Sequence, residues 1–209
     1  QIMEDTYFDG AKVYTVNGTP SDCVKLALIS LFPEKKPDLI VSGINHGSNA
    51  GKTVLYSGTV GGVIEGLFRN NIPGIAFSAC DYDSPDYTEY EPFIAPIVDY
   101  AIKHPAPKGS LFNVNLPKKK LFPIKGIRLA KQGKSFWTDA HDRRIHPEGN
   151  PYYWLGGTWS DHEEDDESDV YLLEQGYISM APIHVEDLTD HAHLKTQQEA
   201  FNKHFNDYP

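Results

Sequence analysis

Cysteine is nearly missing: Cys23 and Cys80 are the only two in 209 residues. Each stands beside apolar neighbours, Cys23 before Val24 and Cys80 after Phe77 and Ala79. A disulfide framework, the device of small secreted domains, is therefore not what organises this chain, and both thiols are expected to be buried core groups. Long hydrophobic runs are missing too. No apolar stretch approaches the ~18 residues that a membrane-crossing helix needs. The opening Gln1-Ile2-Met3-Glu4-Asp5 has neither the charged start nor the apolar middle of a secretory leader. The expectation is a cytoplasmic protein with no membrane partner. Positive charge is scarce: 19 Lys and Arg face 29 Asp and Glu, a net charge of -10. A surface that tracks the phosphates of a nucleic-acid polymer needs clustered Lys and Arg, so that class is set aside. A small anionic ligand would need local help from a metal ion or from backbone N–H groups. Internal repeats and low-complexity segments are also absent.

What is present is 40% hydrophobic residues in a length that suits one domain over residues 1–209, carrying an excursion from its core. Lys12 to Val16 reads as a short strand that stops at Asn17-Gly18. Thr19-Pro20-Ser21-Asp22 is a helix start, with Thr19 as cap, Pro20 at the first helical position and Asp22 in the first turn. The helix that follows is apolar enough to predict burial around most of its circumference, and Pro33 and Pro37 end it. Leu39-Ile40-Val41 predicts a strand covered on both faces. After a loop from Gly43 to Gly58, a helix runs through Val60, Val63, Ile64, Leu67 and Phe68 to Asn70-Asn71. Ile75-Ala76-Phe77 is a strand, Pro92 to His104 a helix and Leu111 to Leu116 a strand. This alternation predicts an α/β, doubly wound, mainly parallel Rossmann-like sheet.

Residues 118–168 break the rhythm. Ile124 to Leu129 reads as a strand, and Tyr152 to Leu155 and Thr158-Trp159 read as a β-hairpin turning at Gly156-Gly157. Between them lies Lys131 to Asn150, polar and rich in His and Gly. The region is expected to be an extended arm or lid. Its aromatics, Trp137, Tyr152, Tyr153, Trp154 and Trp159, suit subunit contacts, with stacking on a nucleobase as the sharper alternative. Asp161 to Asp169 reads as a solvated acidic loop. His141, His146 and His162 match no compact zinc spacing and read as exposed loop histidines. Asp187 to His193 reads as polar connection. Lys131, Lys134 and Arg143-Arg144 read either as a solvated basic patch or as an arm reaching for phosphate. Val170 to Glu174 and Gly176 to Met180 suggest a helical turn and a last strand, and Thr196 to Phe205 an amphipathic helix.

The chemistry concentrates between Asp38 and Thr59. A strand that ends in Ser42-Gly43-Ile44-Asn45-His46-Gly47-Ser48-Asn49-Ala50-Gly51 delivers polar groups at the carboxyl edge of the sheet, where α/β folds bind ligands. The Asn45 side-chain oxygen suits a hard divalent ion but carries no charge, so it cannot hold one alone. Tyr56-Ser57-Gly58-Thr59-Val60 leads straight into a helix, converging unpaired N–H groups, two hydroxyls and the positive end of the helix dipole on one point. Plain N-capping by Ser57 or Thr59 is the competing account. No Walker A motif and no G-x-G-x-x-G is present.

Taken together, Gly18-Thr19-Pro20-Ser21-Asp22-Cys23-Val24, Pro37-Asp38-Leu39-Ile40-Val41-Ser42-Gly43-Ile44-Asn45, Gly47 with Asn49, and Tyr56-Ser57-Gly58-Thr59-Val60 resemble the SurE family. These are stationary-phase survival proteins that act as metal-dependent 5'-nucleotidases. Weaker echoes follow in Asn113-Val114-Asn115-Leu116-Pro117 and from Asp169 through Gly176-Tyr177-Ile178-Ser179 to Pro182. The resemblance implies hydrolysis of nucleoside 5'-monophosphates at one divalent metal ion, Mg²⁺ or Mn²⁺, in a homodimer or homotetramer. It implies Asn45 as a metal ligand and Gly47, Asn49, Ser57, Gly58 and Thr59 as the phosphate site.

One departure bears on the chemistry. The family's Asn-Asp-Asp-Gly motif, whose carboxylates hold the metal, has no counterpart here, since Glu4-Asp5-Thr6 and Phe8-Asp9-Gly10 do not reproduce it. The catalytic residues are thus left unassigned. The opening on Gln1 leads to the expectation that the chain begins inside a longer gene product, after the family's first strand, helix and strand. Two alternatives stay open: a phosphate- or nucleotide-binding member without catalysis, and an oligomerisation protein that keeps only the fold.

Overall fold

The computed structural model describes residues 2–8 in their backbone and residues 10–82, 86–160 and 162–206 in full. Gln1, Asp9 and Asp161, and the side chain of Asp5, lie outside that description. The chain opens with a two-stranded antiparallel ribbon, β1 (Ile2–Phe8) and β2 (Ala11–Val16), the first of which the sequence reading did not anticipate. Then come α1 (Pro20–Ser30), β3 (Ile40–His46), a 3-10 turn over Gly51–Tyr56, α2 (Gly58–Asn70), β4 (Gly74–Ala79), α3 (Glu91–Lys103) and β5 (Ser110–Leu116). The rest comprises β6 (Ile127–Leu129), the long pair β7 (Phe136–Ile145) and β8 (Pro151–Ser160), α4 (Asp169–Glu174), β9 (Ile178–His184) and α5 (His191–Phe205).

The main sheet runs β3-β4-β5-β9-β6. Every pairing in it is parallel except β5 with β9. Strand periodicity sorts its side chains into two cores. Ile75, Phe77, Val114, Leu116, Ile178 and Met180 pack with Ile97 and Ala101 of α3 on one face. Ala76, Leu111 and Ile40 pack with Val60 and Val63 of α2 and Leu28 of α1 on the other. Helices thus cover both faces, and the doubly wound α/β class stands. Among the described residues no helix is long and apolar enough to cross a membrane.

Local chemistry explains most boundaries. Thr19 and Asp22 close a capping box at α1: the Thr19 hydroxyl oxygen accepts from the Asp22 N–H at 3.2 Å, and the Asp22 carboxylate accepts from the Thr19 N–H at 2.9 Å. Asn71 ends α2 in the left-handed conformation that Asn tolerates, at φ 54°.

Several expectations need correction. Within α1 only Leu28 is fully buried, and Ile29 is 58% exposed, because the helix packs against α2 along one side. Val41 is 50% exposed, because β3 is the outermost strand of the sheet rather than an interior one. The strand read over Ile124 to Leu129 shortens to β6. The hairpin does not turn at Gly156-Gly157; both lie inside β8, which pairs with β7 from Phe136↔Ser160 to Ile145↔Pro151. Those two glycines misled because glycine also marks close backbone approach: a Cβ on Gly157 would lie 2.2 Å from the Thr138 carbonyl oxygen. The turn falls at residues 146–150, closed by the His146 N–H donating to the Asn150 carbonyl. Lys131 to Asn150 is accordingly half strand, and His141 sits on β7, exposed. Asp187 to His193 is only partly connection, since α5 starts at His191. The two cysteines are free thiols in partly buried residues.

The acidic run is not a solvated loop throughout. The Glu164 carboxylate accepts from the N–H groups of Lys134 and Ser135 at 2.9 and 2.8 Å and from the Ser135 hydroxyl at 2.6 Å. Burial pushes this carboxyl up, but those hydrogen bonds outweigh it and hold the pKa below the ordinary range. Asp169 is completely buried. Acidic side chains that find backbone N–H groups can leave water, which a count of charges does not foresee.

Candidate functional site

The carboxyl ends of the parallel strands β3, β4 and β5 meet on one edge of the sheet, and the segments that leave them build the site. Polar residues at alternate positions prepare the floor. Asn113 and Asn115 share one face of β5, and Ser78 is the register partner of Asn115 on β4; all three are buried. They clamp the loop after β3. The Asn49 N–H donates to Asn115 Oδ1 at 2.8 Å, Asn49 Nδ2 donates to Ser78 Oγ at 2.7 Å, and the Asn49 carbonyl accepts from Asn113 Nδ2 at 2.9 Å. Asn49 is 7% exposed and lies beneath the loop, anchoring it.

Asn45 and Thr59, fourteen positions apart, come together. The Thr59 hydroxyl donates to Asn45 Oδ1 at 3.2 Å, while Asn45 Nδ2 donates to the Gly47 carbonyl at 2.9 Å and fixes which way the amide points. Ser57 is the N-cap of α2, its hydroxyl oxygen accepting from the Val60 N–H at 3.1 Å. The plain capping account thus holds for Ser57. The next donors differ: the N–H groups of Gly58 and Thr59 have no hydrogen-bond partner among the described residues. Two free donors at the positive end of a thirteen-residue helix, with an adjoining hydroxyl, form an environment for an anion.

A cleft of about 790 Å³ opens beside this edge. Its lining includes Asn45, His46, Gly47 and Ser48 from the end of β3 and the loop after it, Lys118, Lys120 and Leu121 after β5, and Trp137 and Trp159 of the β7–β8 hairpin. Ser57, Gly58 and Thr59 do not line it, so the helix terminus and the cleft meet through Asn45. Cys80 also lines the cleft, its thiol pushed up to about 12 by burial, and it presents no thiolate at neutral pH.

The hairpin root is fastened to the loop. Asp169, at the start of α4, accepts from the Gly51 N–H at 3.1 and 3.2 Å through its two oxygens and from the Gly133 N–H at 2.8 Å. The Lys52 N–H donates to the Ser135 carbonyl at 3.0 Å, and Gln132 Nε2 to the Gly51 carbonyl at 3.1 Å. Burial pushes the Asp169 carboxyl up to about 6, against the opposing pull of the Gly133 and Gly51 amides. Sequence reasoning missed Asp169, hidden in an acidic run, and also Ser78. The two asparagines of Leu111-Phe112-Asn113-Val114-Asn115-Leu116 carried a usable signal, since polar residues two apart in an apolar strand share one face.

Among the described residues no group of three or more His, Cys, Asp or Glu stands close enough to hold a metal ion. Asn45 Oδ1 could donate one neutral oxygen to such an ion and no more.

Comparison with known proteins agrees with this architecture. A family model described as Survival protein SurE matches residues 1–139. A protein of Protochlamydia amoebophila named 5'-nucleotidase SurE is 49% identical over 197 residues, covering 94% of this chain and 75% of that protein. A relative of the same name from Flavobacterium psychrophilum is 40% identical over 180 residues, covering 86% of this chain and 69% of its own. The crystal structure of the SurE protein from Aquifex aeolicus superposes with a TM-score of 0.77 at 33% identity, covering 96% of this chain and 80% of that one. With more than half its length matched by the model and nearly half its residues shared with one relative, the chain belongs to the SurE family.

Proposed function

We propose that this protein is a phosphatase hydrolysing nucleoside 5'-monophosphates to nucleoside and phosphate. The observation that carries the reading is the pair of N–H groups of Gly58 and Thr59, without a partner among the described residues, beside the bonded Thr59 and Asn45 side chains. The relatives' name, 5'-nucleotidase, supplies the substrate class. The phosphoryl group would accept from those two amides and, once the Thr59 hydroxyl turns away from Asn45 Oδ1, from that hydroxyl as well. Gly47 would keep the loop close, and Ser57 and Asn49 would hold the helix start and the loop in place. Donors fixed before the substrate arrives offset negative charge in the transition state without reorganising.

One divalent ion, Mg²⁺ or Mn²⁺, belongs to this reading on the strength of the family. The described residues fit one donor of its site, Asn45 Oδ1, and not the whole site, so no step is derived through it. When bound, such an ion polarises phosphoryl oxygens and activates water. The chain acts here as one α/β unit with residues 118–168 as its arm. It works in the cytoplasm as a homodimer or homotetramer, for which the exposed Trp154, Leu155, Leu194 and Phe201 supply apolar surface.

The test is release of inorganic phosphate from AMP and GMP with Mg²⁺ or Mn²⁺, alongside Asn45→Ala. Metal-dependent release, reduced about tenfold or more in the variant, is expected if the donor matters to transition-state charge. No release with any divalent ion sinks the enzyme. Among the described residues no acidic cluster stands beside Asn45, which favours one other reading, a phosphate- or nucleotide-binding member without catalysis. Binding of AMP without release would establish it. Under either reading Thr59→Val removes a hydrogen bond to a charged group and should weaken inorganic phosphate binding by ~1.5 to 3 kcal/mol. Calorimetric titration showing unchanged affinity would move the phosphate elsewhere.

A further inference from the structure

We propose that the cleft beside the phosphate loop is a nucleobase subsite in which Trp137 is the stacking surface, an inference that rests on the nucleotide reading above. Its wall is shared with the loop at Asn45, His46, Gly47 and Ser48, so a ligand whose anionic end sits at the helix terminus extends into it. Its volume of about 790 Å³ falls in the range of small-molecule sites. Part of its lining is aromatic and oriented. Trp159 is half-buried against Ala50, Val170 and Leu173. Trp137, its register partner, meets it edge to face, with ring centroids 5.7 Å apart and planes at 73°. Trp137 remains 55% exposed while lining the cleft, leaving indole surface open to a planar guest.

Such an aromatic on a hairpin could instead serve a subunit contact, as the exposed Trp154 further along β8 is placed to do. What separates Trp137 from Trp154 is the rigid root. Asp169 holds the amides of Gly51 and Gly133 together, Ser135 accepts from Lys52, and the Lys52 ammonium lies 5.1 Å from the centre of the Phe136 ring. Three residues, Gly133, Ser135 and Phe136, are thereby pinned to the phosphate loop immediately before Trp137. The spacing between stacking surface and phosphate site is set by the fold rather than by a swinging arm. Fixed spacing lets the energy of base stacking orient the phosphoryl end. Stacking tolerates any base, so the subsite would select nucleotides over other phosphomonoesters without strong preference among bases.

The experiment titrates the full chain with adenosine, which carries no phosphate, and follows tryptophan fluorescence. Quenching is expected, lost in Trp137→Ala, partly kept in Trp137→Phe and unaltered in Trp154→Ala. In parallel, phosphate release from AMP is compared with that from ribose 5-phosphate, which lacks the base. The ratio of the two kcat/KM values should fall about tenfold in Trp137→Ala, within the range that one base–aromatic stack supplies. Absence of quenching by millimolar adenosine, or equal loss in Trp154→Ala and Trp137→Ala, would overturn the subsite. If neither phosphomonoester is hydrolysed, the phosphatase reading falls, and the adenosine titration still decides the subsite by itself.

Discussion

Asp169→Ala should destabilise the protein by about 3 kcal/mol at pH 5, because it leaves the buried N–H groups of Gly51 and Gly133 without an acceptor, each orphan costing ~1 to 3 kcal/mol. The loss is local in origin and wide in reach. Gly51 opens the 3-10 turn that leads to α2, and Gly133 stands at the hairpin root, so one carboxylate joins the two halves of the site. Amide exchange should accelerate at Gly51 to Thr53 and at Gly133 to Ser135 before the main sheet is affected. Urea unfolding measures the total and hydrogen exchange its distribution. Unfolding that leaves the midpoint unmoved would mean that the carboxylate is dispensable.

The same residue makes a prediction about pH whose sign is opposite to the usual carboxylate case. Burial raises the Asp169 carboxyl to about 6, from an unperturbed value near 3.8. A group whose pKa is raised on folding stabilises most when protonated. Its contribution is fully present below the unfolded value and is lost as pH rises through the folded one. Between pH 5 and pH 7 the loss comes to about 1 kcal/mol. Asp169→Ala should therefore cost less at pH 7 than at pH 5. Asp169→Asn, which keeps an acceptor oxygen at the Oδ1 position for both amides, should remove the pH dependence and retain most of the stability. A proton on Oδ2 gives up only the longer of the two Gly51 contacts, at 3.2 Å, so the tie survives protonation. Denaturation midpoints of the three proteins at pH 5 and 7 test the sign directly.

The contrast between Asp169 and Thr19 marks how far the sequence could be read. Thr19-Pro20-Ser21-Asp22 is a contiguous signal, since both partners of its capping box lie within one turn, and α1 starts where that signal predicts. The same holds for the strands of the main sheet and for Ser57 before α2, where apolar runs and cap residues act on their own neighbours. Asn45 and Thr59 could be grouped because one strand end and one helix start flank a single loop. Asp169 acts over 118 and 36 positions, on backbone amides that any residue supplies, and nothing beside it in the chain announces those partners. The hairpin failed for a related reason. Gly156-Gly157 looks locally like a turn, and only the close approach of the Thr138 carbonyl, nineteen residues before Gly157, shows why glycine is needed inside a strand. Burial of α1 and Val41 was overestimated because apolar composition reports what could be covered, whereas sheet order determines what is.

The second large effect is expected at Gly51, where two glycines of one loop separate conformational freedom from lack of space. Gly47 has φ +98°, and a Cβ there would meet only the Tyr82 ring at 3.5 Å, an ordinary contact. Gly47→Ala thus carries the backbone penalty of an unfavourable φ alone, about 1 to 2 kcal/mol. Gly51 has φ +61°, which a side chain can adopt at modest cost, but its Cβ would lie 2.3 Å from the Ser135 carbonyl oxygen. That oxygen belongs to backbone and already accepts from Lys52, so it cannot swing aside as a long side chain would. Gly51→Ala must push the hairpin root off the loop, breaking the Lys52 contact and stretching both amide bonds to Asp169. A cost near 3 kcal/mol or more follows, well above that of Gly47→Ala. The ordering is the critical point, because φ alone would rank Gly47 as the worse site. If urea midpoints place Gly47→Ala below Gly51→Ala, the hairpin root is not packed against the loop as Ser135 implies, and the fixed spacing between Trp137 and the helix terminus is lost with it.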